Sequence, residues 1–128
     1  FVYFALSSAL ALSFSLALGA PAEQSQNTGS VSKPQLTELQ LNYRHLHANP
    51  ELAKEEIESC KFIKSKLIAY GFKKFYELEQ LPTAVITELS GGKPGPVICF
   101  RADMDARRCR EKTGLAFASV KPELMHNC

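Results

Sequence analysis

Two short runs hold the residue types that can do chemistry. Asp103 and Asp105 stand two apart in PVICFRADMDA, and His126 and Cys128 stand two apart in the closing MHNC. Carboxylate oxygens suit divalent cations and also orient imidazole ligands from behind. If the strand ahead of them runs on through both aspartates, its period of two puts both carboxylates on one side. Solvated aspartates at a strand end are common, so this pair by itself is more often a surface feature. Imidazole and thiolate are both metal ligands by type, and the softer thiolate favours zinc or another late first-row ion over calcium or magnesium. One His and one Cys cannot close a tetrahedral site, so MHNC is either part of a larger site or an inert tail.

The elements that would position these runs are legible from hydrophobic period. From Pro34, Leu36, Leu39, Tyr43 and Leu46 fall on one helical face, and Asn49-Pro50 interrupts the pattern. A second helix follows, with Ala53, Ile57, Cys60, Ile63, Leu67 and Tyr70 on one face and Gly71 as its C-terminal cap. Residues 72–80 alternate weakly, and TAVITEL at 83–89 is a β-branched run of strand length. SGGKPG then makes a turn, and PVICFRADM at 96–104 has the nearly continuous apolar character of a strand buried on both faces. Two helices followed by sheet strands predict an α/β or α+β domain with a helix-covered sheet. In open α/β sheets, sites lie at the carboxyl ends of strands, where the aspartates fall.

Composition narrows the function classes. The chain has 128 residues, and none of its 15 Lys and Arg or 13 Asp and Glu falls in the first 22. That stretch, FVYFALSSALALSFSLALGAPA, carries 16 apolar residues and ends in small ones, which predicts a secretory signal peptide over 1–22 whose basic N-terminal end is missing. The alternative is an uncleaved membrane anchor, and either reading predicts export, to the periplasm or the exterior. Polar residues 23–33 predict a flexible linker, leaving 34–128 as one domain. A net charge of +2 over alternating signs gives no basic stripe, which argues against a nucleic-acid or anionic-membrane partner. Of the four cysteines, Cys60 and Cys99 sit in apolar settings that predict buried thiols rather than a disulfide framework.

Four ordered blocks carry a further signal: YRHLHANPEL (43–52), SGGKPGPVICFRADMDA (90–106), EKTGLAFAS (111–119) and MHNC (125–128). Together they resemble the N-terminal part of the metal-dependent N-acyl amino acid amidohydrolases. That group includes hippurate hydrolases, bacterial aminoacylases and plant auxin-conjugate hydrolases, within the zinc-peptidase clan. The resemblance implies an incomplete N-terminal part of a zinc-peptidase-like α/β catalytic domain. It implies hydrolysis of the amide bond of small N-acyl amino acids or related peptides, with zinc or manganese, two ions in the complete enzyme, as cofactor. Cys128 matches a metal-ligand cysteine of the family, and Asp105 matches the aspartate beside the metal centre that helps orient it. Asp103 and His126 match positions that are not ligands in this branch. The remaining ligands, the glutamate base and the substrate-recognition domain would lie past Cys128, so these residues alone are expected to be inactive. Self-association of the full-length form is left open.

The chain departs from the family at Arg107-Arg108-Cys109, where a Leu-Pro-aliphatic run is usual. If that run packs against the sheet end, two cations there burden the complete enzyme, whereas an exposed loop tolerates them. The rival to an enzyme is an exported, non-catalytic remnant or small binding protein.

Overall fold

A computed structural model describes residues 2–5 and 32–127 of the chain. Its elements are β1 (Val2–Ala5), α1 (Lys33–Ala48), α2 (Ile57–Ala69), β2 (Lys74–Tyr76), β3 (Val85–Glu88), β4 (Cys99–Ala102), β5 (Arg107–Arg108) and β6 (Leu124–Met125). Apart from β1, Ser32 and Lys33, the expected leader and linker lie outside the described residues. Among the described residues no helix is long and apolar enough to cross a membrane.

Local chemistry accounts for the helix ends. Ser32 caps α1 through a reciprocal box: its hydroxyl accepts the Gln35 amide and the Gln35 side chain accepts the Ser32 amide at 3.0 Å. Lys33, the last residue of the expected linker, is thus already helical. The helix stops at Asn49, before Pro50. At the end of α2, Gly71 takes φ +93°, its amide reaches the Ile68 carbonyl and the Phe72 amide reaches that of Leu67, both at 3.0 Å. That paired 5→2 and 6→1 closure needs a left-handed residue, which glycine supplies at low cost.

Four strands form one sheet in the order β2-β3-β1-β4. β3 pairs antiparallel with β2 and parallel with β1, and β1 pairs antiparallel with β4. β3 alternates: Val85 and Thr87 are buried, while Ile86 and Glu88 are half-buried. Buried Thr87 donates its hydroxyl to the Lys74 carbonyl at 2.7 Å, so the core carries no unsatisfied hydroxyl there. Leu67, Val85 and Met104 make the core, with Cys60, Ile63, Phe72 and Phe75 packed against it.

Several expectations are corrected. Leu36, Leu39 and Tyr43, the apolar face read for α1, are each at least half exposed, and the buried residue of that helix is His47. Ala53 lies in the turn before α2, while Ile57 and Tyr70 are exposed. The strand read over 96–104 is only Cys99–Ala102, and all four of its residues are exposed rather than buried on both faces. Cys99 is accordingly an exposed thiol, whereas Cys60 is half-buried. The common cause is physical: an apolar run reports the tendency to be covered, not the presence of a covering layer.

Candidate functional site

Several later stretches are tied to the segment that leaves α1. The Ala106 amide donates to the Glu51 carbonyl at 2.7 Å, and Leu52 and Ala106 form an isolated parallel bridge. The Val120 amide donates to the Ala48 carbonyl at 2.9 Å, and Lys121 Nζ to the Pro50 carbonyl at 2.8 Å. β5 and β6 pair Arg107 with Met125 and Arg108 with Leu124, which closes the loop between them and sets the position of the final run. Residues distant in sequence are therefore held around one five-residue stretch, Ala48 to Leu52.

Inside that frame lies a buried carboxylate–imidazole pair. His47 Nε2 and Glu111 Oε1 are 2.9 Å apart, with side chains 6% and 5% exposed. Glu111 also accepts the Ser119 amide at 2.6 Å and the Thr113 hydroxyl. The His47 ring, the Ser119 amide and the Thr113 hydroxyl hold the Glu111 carboxyl down to about 2. Phe117 sets its ring edge-on to His47 at 5.6 Å and to Tyr43 at 5.9 Å, with the Arg44 guanidinium 5.3 Å from its centroid. Sequence reading missed this pair, because 64 residues separate its members. The one available signal was that both lie inside the resembling blocks.

A cavity of about 350 Å³ opens beside the pair, lined by Tyr43, His47, Ile63, Asp103, Met104 and His126 among others. Along the run after β4 exposure alternates: Asp103 is exposed, Met104 buried, Asp105 half-buried and Ala106 buried. Asp103 is engaged by Arg101 at 2.9 Å in a solvated pair. The Asp105 main chain accepts a hydrogen bond from the His126 side chain, so the aspartate run and the MHNC run touch. Burial lowers the His126 imidazole, as does the nearby His47, and the bond to Asp105 opposes them. His126 Nε2 is buried with no partner among the described residues.

Asp105 and His126 are thus brought together, and Cys128 lies outside the described residues. Among the described residues no group of three or more His, Cys, Asp or Glu side chains could hold a metal ion. Arg107 and Arg108 are exposed in β5 and Cys109 is half-buried, so the two cations are solvated rather than packed against the sheet.

The chain is similar in sequence and fold to known proteins. No family model matches the chain. The N-acetyl-L-cysteine deacetylase of Bacillus subtilis (strain 168) is 45% identical over 85 residues, which is 66% of this chain and 20% of that protein. The N-acyl-L-amino acid amidohydrolase of Geobacillus stearothermophilus is 39% identical over 85 residues, 66% of this chain and 22% of its own length. The N-acetyldiaminopimelate deacetylase of Oenococcus oeni is 36% identical over 87 residues, 66% and 23% of the two chains. A crystal structure of the Bacillus subtilis YXEP protein, a dinuclear metal binding peptidase from the M20 family, superposes with a TM-score of 0.62. It is 37% identical and the match covers 70% of this chain and 25% of that one. Over about two thirds of its length the chain is a relative of N-acyl amino acid amidohydrolases and deacetylases, and its mixed α/β fold matches part of an M20 peptidase domain. It spans about a fifth to a quarter of the length of these relatives.

Proposed function

We propose that these residues form part of a metal-dependent amidohydrolase which, complete, cleaves the amide bond of small N-acyl amino acids. The joint likeness in sequence and fold to that group carries the reading. The cofactor would be a divalent ion, zinc or manganese, activating water and polarising the amide carbonyl. Cys128 is assigned as one of its ligands. Asp105 is assigned to orient the centre, from a run whose main chain already holds the His126 side chain. The 128 residues alone are inactive on this reading, and the protein acts after export, as the apolar start of the chain suggests.

The test uses a protein of the relatives' length that carries these residues, assayed on N-acetyl-cysteine and hippurate with metal content measured in parallel. Cys128→Ala should lose metal and turnover together. Asp105→Asn should lower turnover by an order of magnitude or more while most metal stays bound. Equal metal loss in both variants would make Asp105 a ligand, and unchanged turnover in both would sink the site assignment.

A further inference from the structure

β5 and β6 make a ladder of two residue pairs, Arg107↔Met125 and Arg108↔Leu124. A hairpin that short is marginal by itself, and residues 109–123 form a connection long enough to add a closure cost. Contacts from outside the ladder must hold it. Glu111 Oε1 stands 2.9 Å from His47 Nε2 of α1 and accepts the Thr113 hydroxyl, while its Oε2 accepts the Ser119 amide at 2.6 Å. The first contact ties the loop to the helix, and the last folds the loop onto itself. Both side chains of the His47–Glu111 pair are enclosed, so loss of the carboxylate would strand an enclosed ring nitrogen and the Ser119 amide.

The base of this hairpin carries the residues assigned to chemistry. Continued two steps past Arg107↔Met125, the antiparallel register sets Ala106 opposite His126 and Asp105 opposite Asn127. The hydrogen bond from the His126 side chain to the Asp105 main chain agrees with that placement. Asp105 and the run entering Cys128 therefore belong to one hairpin, braced from its loop.

We propose that Glu111 is a positioning residue: by bonding His47 and Ser119 at once, it fixes the hairpin that spaces Asp105 from the run entering Cys128. The consequence for turnover rests on the amidohydrolase reading, whereas the bracing of the hairpin does not. His47 is the receiving half of the brace, and the Phe117 ring from the same loop packs edge-on against it at 5.6 Å. Displacement of about 1 Å at a reacting centre can cost roughly 100-fold in rate, so a residue that touches neither substrate nor ion can still govern turnover.

The bracing is tested on the 128 residues by NMR, reading the Overhauser contacts between the His126 ring and the Asp105 main chain. In Glu111→Ala they should weaken severalfold. Glu111→Gln, which keeps the size but one acceptor oxygen instead of two, should fall between Glu111→Ala and the parent. Thr87→Val, which removes the Thr87 bond to the Lys74 carbonyl between β2 and β3, controls for general loosening and should keep them. Equal intensity in Glu111→Ala and the parent overturns the proposal, as does equal loss in Thr87→Val. Should Glu111→Ala fail to fold, Glu111→Gln against Thr87→Val decides in the same way.

The consequence is tested in a protein of the relatives' length loaded with cobalt(II) as the probe ion, whose thiolate absorption band reports on Cys128. Glu111→Ala should shift or weaken that band and lower kcat at least about tenfold with KM within about twofold, while Thr87→Val leaves the band and kcat unchanged. An unchanged band and kcat in Glu111→Ala overturn the positioning role. A parent without the band refutes the Cys128 assignment instead, and the NMR result then decides the bracing by itself.

Discussion

At the residue scale, two acidic side chains separate by environment. Asp103 shares an exposed ion pair with Arg101, and pairs of that kind contribute little to stability. Glu111 is enclosed and accepts from the Ser119 amide, the Thr113 hydroxyl and the His47 ring, which is why its carboxyl is held at about 2 instead of 4.5. A depressed folded-state value favours the folded form wherever the group is ionised in both states, that is, above about 4.5. The contribution is lost as pH falls from there through about 2. Thermal melts between pH 2 and 6 should therefore show a drop for the parent that is much shallower in Glu111→Gln, which has no carboxylate to protonate. Superimposable pH profiles would show that Glu111 is not held by these partners. Sequence alone offered no more than their place inside the resembling blocks, since a lone His in a helix and a Glu in a loop acquire meaning only when the chain brings them to 2.9 Å.

At the element scale, α2 begins without a cap of its own. Glu56 occupies the N-cap position with no capping hydrogen bond, and the Glu51 side chain serves instead, accepting the Glu58 amide at 3.2 Å and the Ser59 amide at 2.7 Å. Burial works against the Glu51 carboxylate, but the two amides outweigh it and the group lies below the usual range. Because the Glu51 carbonyl also receives the Ala106 amide, one residue joins the start of α2 to the run that carries Asp105. Glu51→Ala should cost about 1 kcal/mol, typical of a lost N-cap, and should increase amide exchange at both Ser59 and Ala106. Exchange rising at Ser59 alone would separate the cap from the site frame. The helix ends were legible because Pro50 and Gly71 act on their immediate neighbours, whereas the starts were not: the cap Ser32 was read into the linker and Ala53 into α2. The exposure of β4 and the position of β1 were not, because both depend on which strand lies alongside.

At the scale of the whole molecule, the fold links the blocks to one another in turn: Ala106 to Glu51, Glu111 to His47 and His126 to Asp105. Asp105 was singled out from the strand-end aspartate pair by the resemblance, and the structure brings it into contact with His126. The same scale exposes a weakness. Among the described residues the buried apolar set is Leu67, Val85, Met104 and Ala106, while Val97 and Ile98 just before β4 and Phe100 within it are 60%, 50% and 61% exposed. Among the described strands β4 stands at one end of the sheet order. An open edge bearing large apolar side chains is the arrangement from which chains pair with one another and aggregate. The 128 residues in isolation should therefore self-associate with rising concentration, seen as a growing mass in light scattering. Replacing Val97 and Phe100 together by Lys should reduce that association severalfold, since charge on an edge opposes pairing, while leaving melting temperature little changed because neither side chain is buried. Association that persists undiminished in the double variant would place the sticky surface elsewhere, on the half-exposed Leu36, Leu39 and Tyr43 face of α1.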